Sequence, residues 1–431
     1  MTDAVLPMSG LTPDAIALLR RLGKIAVERD VGAYVVGGVV RDLLLGGKTG
    51  DLDIVVEERA EDFVAAAVSR LGGSSKVYAR FGTALYLPGQ GAKVDVATAR
   101  SETYATPGAL PDVLRGTISD DLVRRDFTIN AMAASIRPED FGRLIDEHNG
   151  QADLRDRVLR VLHEGSFLDD PTRVFRAVRF HARLGFAIAP DTERLLRDAA
   201  TPDTLDTVSG ERLMNELMLM LGETDPSAAL LRLVDWRLTE AVRPCWSPDR
   251  ARVEHLLAGL NRLPACSRLT PLMALLEPVA PVCRADVVDR LRAGRRLRRT
   301  VSDLAVYESK TAPVLRARGP LDRSRIHELL RGRAMEVLEL ALADDPVGTA
   351  SNRIRLYTNE LAGVETALSG GDLIALGFPQ GEEVGNALDA LRRARLDGVV
   401  STREDEERFA RNMLASMTQR EAGLDEGRKS C

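Results

Sequence analysis

The sequence predicts an α+β protein, with a small α/β unit holding a mixed sheet over residues 1 to about 140 and a mostly α-helical remainder. Three observations carry this. Short runs of β-formers bounded by glycines recur before residue 100, at Tyr34–Val36, Leu52–Val56, Thr83–Leu87 and Lys93–Ala97. Segments of helical period, Leu11–Arg29 and Ala60–Leu71, interleave with them. From Asp169 onward helices follow one another at short spacing with few strand signals.

Taken in order, Leu11–Arg29 has Thr12 placed to cap its first turn and Pro13 where a missing N–H costs nothing. Tyr34–Val36 is a short strand feeding Gly37-Gly38, and Val39–Leu45 begins a helix. Leu52–Val56 is a second strand and Ala60–Leu71 a helix, after which Val77–Arg80, Thr83–Leu87 and Lys93–Ala97 suggest a meander. Arg100–Ile118, with Pro107, Gly108, Pro111 and Gly116, shows no period and reads as a long loop, a feature usually functional or mobile. Leu144–Asp146 and Val158–Val161 are the last β segments. Pro244, Pro248, Pro264, Pro271, Pro278 and Pro281 punctuate a helical middle region without ending it.

With 431 residues the chain exceeds what one hydrophobic core supports, so three or four subdomains are expected. No apolar run reaches the roughly 18 residues that span a bilayer, and the start lacks a signal-peptide pattern. Cys245, Cys266, Cys283 and Cys431 lie far apart without C-x-x-C spacing, and read as reduced thiols of a cytoplasmic protein. His148, His163, His181, His255 and His327 form no metal-ligand spacing, so no phosphohydrolase activity is expected. The net charge of −5 does not exclude a nucleic-acid partner, because phosphate binding depends on where the positive charge sits.

The chemistry concentrates in a few stretches. Gly37-Gly38 after a strand lets backbone N–H groups approach phosphates that any side chain would block. Asp51 and Asp53, at i and i+2 of the second strand, point to one face and can hold one divalent cation. Asp95, in Lys93-Val94-Asp95-Val96, faces away from its valines and is the candidate third acid. Three carboxylates could hold two Mg²⁺ ions, one acidifying an attacking hydroxyl and one neutralising a triphosphate.

In Arg124-Arg125-Asp126-Phe127-Thr128-Ile129-Asn130-Ala131-Met132, read as a helix start, the adjacent arginines diverge, one free for phosphate or base and the other paired with Asp126. Asp169-Asp170-Pro171-Thr172-Arg173 opens a helix capped by Asp169 or Asp170, on which Arg173, Arg176 and Arg179 recur at i+3. Asp170 and Arg173 set a carboxylate acceptor beside a guanidinium donor. That pair matches cytosine and adenine, each of which offers an exocyclic amine next to a ring-nitrogen acceptor.

These stretches, with Ser209–Leu221 (SGERLMNELMLML), stand in the order found in class II tRNA nucleotidyltransferases, the CCA-adding enzyme and poly(A) polymerase family, which the chain resembles closely from about residue 30 to 222. Gly371–Gly377 with Leu396-Asp397-Gly398 is more loosely similar to that family's C-terminal tRNA-contacting region. The resemblance implies a catalytic nucleotidyltransferase head (1–140), a nucleotide-selecting neck (141–225), a helical body (226–350) and a tRNA-contacting tail (351–431). It implies that Gly38 and Arg41 contact the incoming triphosphate, that Asp51 and Asp53 bind Mg²⁺, and that an arginine of the Arg124-Arg125 pair touches the nucleotide. Asp170 and Arg173 would act as a protein template, with Arg176 and Arg179 on the phosphate side. The implied partners are the acceptor end of tRNA, with CTP and ATP as substrates.

One region departs from the commonest family pattern. Ala97-Thr98-Ala99-Arg100 replaces a threonine-phenylalanine-arginine stretch, and the Ser101–Gly116 loop resembles that of relatives that add only the final A. Addition of all of CCA is the leading expectation. Addition of A alone or CC alone, poly(A) synthesis, and an RNA-binding relative without catalysis are the alternatives.

Overall fold

The computed structural model describes residues 4–50, 52–89, 91–103, 108 and 112–428. Backbone contacts divide the chain into two compact units, Met1–Ser247 with Asp289–Ala293, and Pro248–Val288 with Gly294–Cys431.

The first unit opens with α1 (Pro13–Glu28), β1 (Ala33–Val36), α2 (Gly38–Leu44), β2 (Leu52–Val56), α3 (Ala60–Leu71), β3 (Ser74–Tyr78), β4 (Thr83–Leu87) and β5 (Val94–Thr98). It continues with β6 (Arg100–Thr103), β7 (Asp112–Arg115), α4 (Ile118–Val123), β8 (Ala133–Ser135) and β9 (Leu144–Ile145). Thr12 caps α1 through its hydroxyl, which accepts the Ala15 N–H at 3.2 Å, as its position before Pro13 predicts. Seven strands form one mixed sheet in the order β3-β4-β5-β2-β1-β8-β9. Within it β2 and β5 run parallel and the other neighbours antiparallel.

Strand alternation gives the sheet two different faces. Ile54 and Val96 are buried, and α3 packs over the sheet with Phe63, Val64 and Ala67 fully covered. Removing those side chains from water is worth roughly 1.5–3 kcal/mol for each of the larger ones. Val55 lies on the opposite face, in a cluster with Val36, Ile118 and Leu122, so α4 covers that end. Asp53 shares the face of Val55 two residues earlier, where the strand is exposed.

Two expectations change here. The strand expected at Val77–Arg80 is Ser74–Tyr78, ending in a tight turn at Ala79–Phe81, because Ser74-Ser75-Lys76 pair with β4 as an exposed edge that hydrophobicity does not reveal. The segment expected as a loop at Arg100–Ile118 contains an antiparallel hairpin, β6 with β7, whose strands are polar or exposed and so carry no period. Pro107 and Pro111 lie outside the described residues.

The rest of this unit is helical apart from a two-residue parallel pair, β10 (Val158–Leu159) with β11 (Ala187–Ile188). Its helices include α5 (Gly150–Asp156), α6 (Ser166–Asp169), α7 (Thr172–Leu184), α8 (Pro190–Ala199), α9 (Pro202–Asp206) and α10 (Gly210–Met220). The N-cap of α7 is Pro171 rather than Asp169 or Asp170, and Asp170, one residue earlier, accepts the Thr172 N–H through Oδ1 at 3.0 Å. One side of α7 buries Val174, Phe175, Ala177 and Val178, and the helix packs on α10. Phe180 meets Phe127 edge to face, 5.9 Å between ring centres.

The second unit is helical throughout its described residues. Its C-terminal part packs Leu373, Phe378, Ala387, Leu391 and Ala410 into a core of their own, and Ser369 and Asp372 form a capping box before Gly370–Ala375. No helix among the described residues is long and apolar enough to cross a membrane. The expectation of reduced thiols holds for Cys266, which is free and exposed, and not for Cys245 or Cys283.

Candidate active site

The site begins where β1 ends. Gly37 has φ of +64°, and a Cβ there would lie 2.6 Å from Nη1 of Arg125. The positive φ favours glycine there, and a side chain would displace the tip of Arg125. Gly38 then opens α2.

Next to this turn is a cavity of about 530 Å³ whose wall brings together Gly37, Gly38, Arg41, Arg124, Arg125, Asp170, Arg173, Arg176 and Arg179. These are all nine residues expected from the sequence to bind nucleotide. Arg100, Glu102, Asp126, Asn130, Phe180, Arg183 and Arg212 complete the lining. Arginines outnumber acids, so the cavity suits a polyanion.

The arginines are fixed in different ways. Arg41 is buried; its Nη1 donates to Asn130 Oδ1 at 2.6 Å and its Nε to Asp42 at 2.8 Å, beside the Phe180 ring. Arg124 and Arg125 both pair with Asp121, which is fully buried, and Arg124 also reaches Glu102 at 3.2 Å. This corrects two expectations: Arg124 follows the end of α4 rather than starting a helix, and neither arginine pairs with Asp126. Asp126 is instead claimed by Arg176, 50 residues away, through Nε at 2.9 Å and Nη2 at 2.5 Å. Asp126 also accepts from Asn130 and from the Phe127 N–H. Burial alone would raise its pKa, but Arg176 and these donors outweigh it and hold the carboxyl below the usual range. Burial would likewise depress Arg176, yet Asp126 and Glu216 raise it.

Arg173 is 5% exposed; its Nη1 donates to Ser166 Oγ at 2.6 Å and its Nη2 to the Arg124 carbonyl at 2.6 Å. No acceptor among the described residues takes its Nε. Asp170 receives Thr172 and also Arg212, through Nη2 at 2.7 Å. Arg179 and Glu216 lie 3.8 Å apart, and Arg179 Nε and Glu216 Oε2 are buried without a hydrogen-bond partner among the described residues. Burial pushes Arg179 down, helped by the nearby Arg176 and Arg183 charges, and it pushes Glu216 up.

The acids stand on the neighbouring sheet. Asp53 and Asp95 are register partners on the parallel strands β2 and β5, both exposed on one face. Paired strands lie about 4.8 Å apart, close enough for two carboxylates to share a hard cation. Lys93 approaches Asp95 at 3.6 Å. Neither acid lines the cavity. Asp51 lies outside the described residues, and among those that are described no three His, Cys, Asp or Glu side chains form a metal-ligating group.

Arg212, Glu216 and Asp121 escaped the sequence reading. Arg212 and Glu216 fall within the singled-out Ser209–Leu221 stretch, but nothing local says that they meet α7.

Profiles described as the poly A polymerase head domain and the probable RNA and SrmB-binding site of polymerase A match residues 33–160 and 185–249. The CC-adding tRNA nucleotidyltransferase of Geobacter sulfurreducens is 31% identical, over 93% of this chain and 95% of its own length. The chain belongs to the tRNA nucleotidyltransferase family. Within that family it is also 38% identical to an A-adding tRNA nucleotidyltransferase of the same organism, over 92% of this chain but 46% of that protein. The chain thus spans about half the length of such curated relatives. The Thermotoga maritima CCA-adding enzyme, solved as a complex with tRNA, matches with a TM-score of 0.77 and 32% identity, covering 96% of this chain and 98% of that one.

Proposed function

We propose that this member of the family transfers AMP from ATP to the 3′ hydroxyl of tRNA that already ends in CC, releasing pyrophosphate and using no nucleic-acid template. The reading rests on one observation above all: a single arginine-rich cavity gathers every residue expected to hold the nucleotide, beside two acids in register on adjacent strands. A-addition is preferred because the A-adding relative is 38% identical and the CC-adding one 31%. Addition of the whole CCA is the second reading, supported by full-length likeness to a CCA-adding enzyme. Within this reading residues 1–140 are the catalytic head, 141–225 the neck, 226–350 the body and 351–431 the tail. A tRNA substrate carries with it a cytoplasmic location.

The 3′ oxygen attacks the α-phosphorus, a P–O bond forms, the α–β bridge breaks, and the hydroxyl proton leaves. The N–H groups at Gly37 and Gly38, with arginines of the cavity wall, hold the triphosphate. Arg179, which lines the cavity, is suited to an anionic oxygen. Asp170 Oδ2 accepts the exocyclic amine and Arg173 Nε donates to the ring nitrogen, a polarity that guanine and uracil reverse. Asp51, Asp53 and Asp95 are the proposed Mg²⁺ ligands, their oxygens being the donor type this ion takes. When bound, Mg²⁺ would supply charge neutralisation at the triphosphate and acidify the attacking hydroxyl.

The test is to supply ATP, CTP, GTP and UTP singly to tRNA ending at the discriminator base, at C, or at CC. Extension of the CC-ended tRNA alone, by one A, is the expected result. Extension of the discriminator-ended tRNA by CTP together with extension of the CC-ended tRNA by ATP would replace it with full CCA addition, and no extension would refute both.

A further inference from the structure

We propose that Arg212, together with Thr172, is a positioning residue for base selection, acting through Asp170. This rests on the nucleotidyl-transfer reading of the same cavity.

The two oxygens of Asp170 are treated unequally. Oδ1 takes three donors: the Thr172 N–H at 3.0 Å, the Thr172 hydroxyl at 2.6 Å and Arg212 Nη2 at 2.7 Å. Oδ2 takes none among the described residues. A carboxylate held by one oxygen only through its own helix turn can still rotate about its side-chain bonds. A guanidinium from a different helix fixes the plane, because it approaches from α10 while Thr172 approaches from α7. The result is a single acceptor of fixed direction, next to an Arg173 whose terminal nitrogens are occupied by Ser166 and the Arg124 carbonyl. One aimed acceptor beside one remaining donor is a stricter reader than two mobile groups. It rejects a wrong edge by leaving a polar group unpaired.

Arg212 is not needed to dock α10. That helix buries Leu213, Leu217 and Met220, and Glu216 already faces Arg176 and Arg179. The Arg212 side chain is 33% exposed and lines the cavity. Losing it therefore leaves the packing in place while freeing the Asp170 carboxylate.

The experiment compares R212M, R212K and T172V with the unchanged chain, reading kcat and KM for ATP and the ratio of kcat/KM for ATP over GTP and UTP. Melting curves establish that each variant folds. A hydrogen bond to a charged group corresponds to about tenfold or more, so R212M should lower the ratio at least about tenfold, mainly through KM. T172V should move it less in the same direction, and R212K should recover part of it. A folded R212M with an unchanged ratio overturns the proposal, and if R212M does not fold, an unchanged ratio in T172V does so. Equilibrium binding of ATP against GTP to the same variants decides the point even where no transfer to tRNA occurs, which separates this failure from failure of the functional reading.

Discussion

Replacing Arg176 by methionine should destabilise the first unit strongly and reverse the sign of its local pH dependence. Arg176 supplies two charge-assisted hydrogen bonds to Asp126, whose side chain is 7% exposed, while the arginine itself is 31% exposed. Removing one partner of a buried pair leaves the other charge uncompensated, which costs about 3–5 kcal/mol. For a unit of this size that corresponds to a fall of roughly 6 to 20 °C in melting temperature. In the unaltered protein the Asp126 carboxyl is held below its ordinary pKa, so its contribution is complete above the ordinary carboxylate range and is lost as pH falls through the depressed value. Without Arg176 burial dominates and the carboxyl rises above that range, so R176M should gain stability as pH is lowered from 7 to 5. Urea titrations at pH 5, 6 and 7 measure both effects. The D126N/R176M double variant, which removes the stranded charge, should recover much of the loss. A fall under about 2 °C, with pH profiles parallel to the unaltered protein, would refute the account of this pair.

Four other outcomes are expected. Asp53→Ala should lower nucleotide transfer about a thousandfold or more, since an ion held there supplies several kcal/mol of charge stabilisation; ordinary turnover at any Mg²⁺ concentration would contradict the metal assignment. Gly37→Ala should cost about 1–2 kcal/mol of strain and raise KM for ATP, because its φ is +64° and its Cβ would press on Arg125, and steady-state kinetics with a melting curve check both. Arg173→Ala should blur choice among the four nucleotides and lower the melting temperature, as Ser166 and the Arg124 carbonyl lose their donors; sustained rejection of GTP and UTP would count against its template role. Affinity for tRNA should fall linearly in log–log against salt, with a slope of about −0.7 to −0.9 per phosphate neutralised, and filter binding between low and physiological salt would expose a flat response.

What could be read from the chain alone was what lies close along it. The i, i+2 geometry of a strand set Asp53 apart from its buried neighbours, the proline and threonine before α1 marked its start, and the i+3 spacing on α7 announced a basic stripe. Each is a short-range consequence of backbone geometry, so a window of a few residues contains it. The ordered motifs between residues 30 and 222 were equally visible, and with them the family.

Tertiary structure decided the partners. Asp53 meets Asp95 only because β2 and β5 pair in parallel at that register, and Arg176 rather than Arg125 claims Asp126 only because α7 folds back across the head. The β6–β7 hairpin was hidden because its stability comes from pairing and not from a hydrophobic face. Charged side chains choose partners by distance and desolvation in space, and sequence separations of 42 residues for Arg212 and Asp170, or 50 for Arg176 and Asp126, leave no local trace.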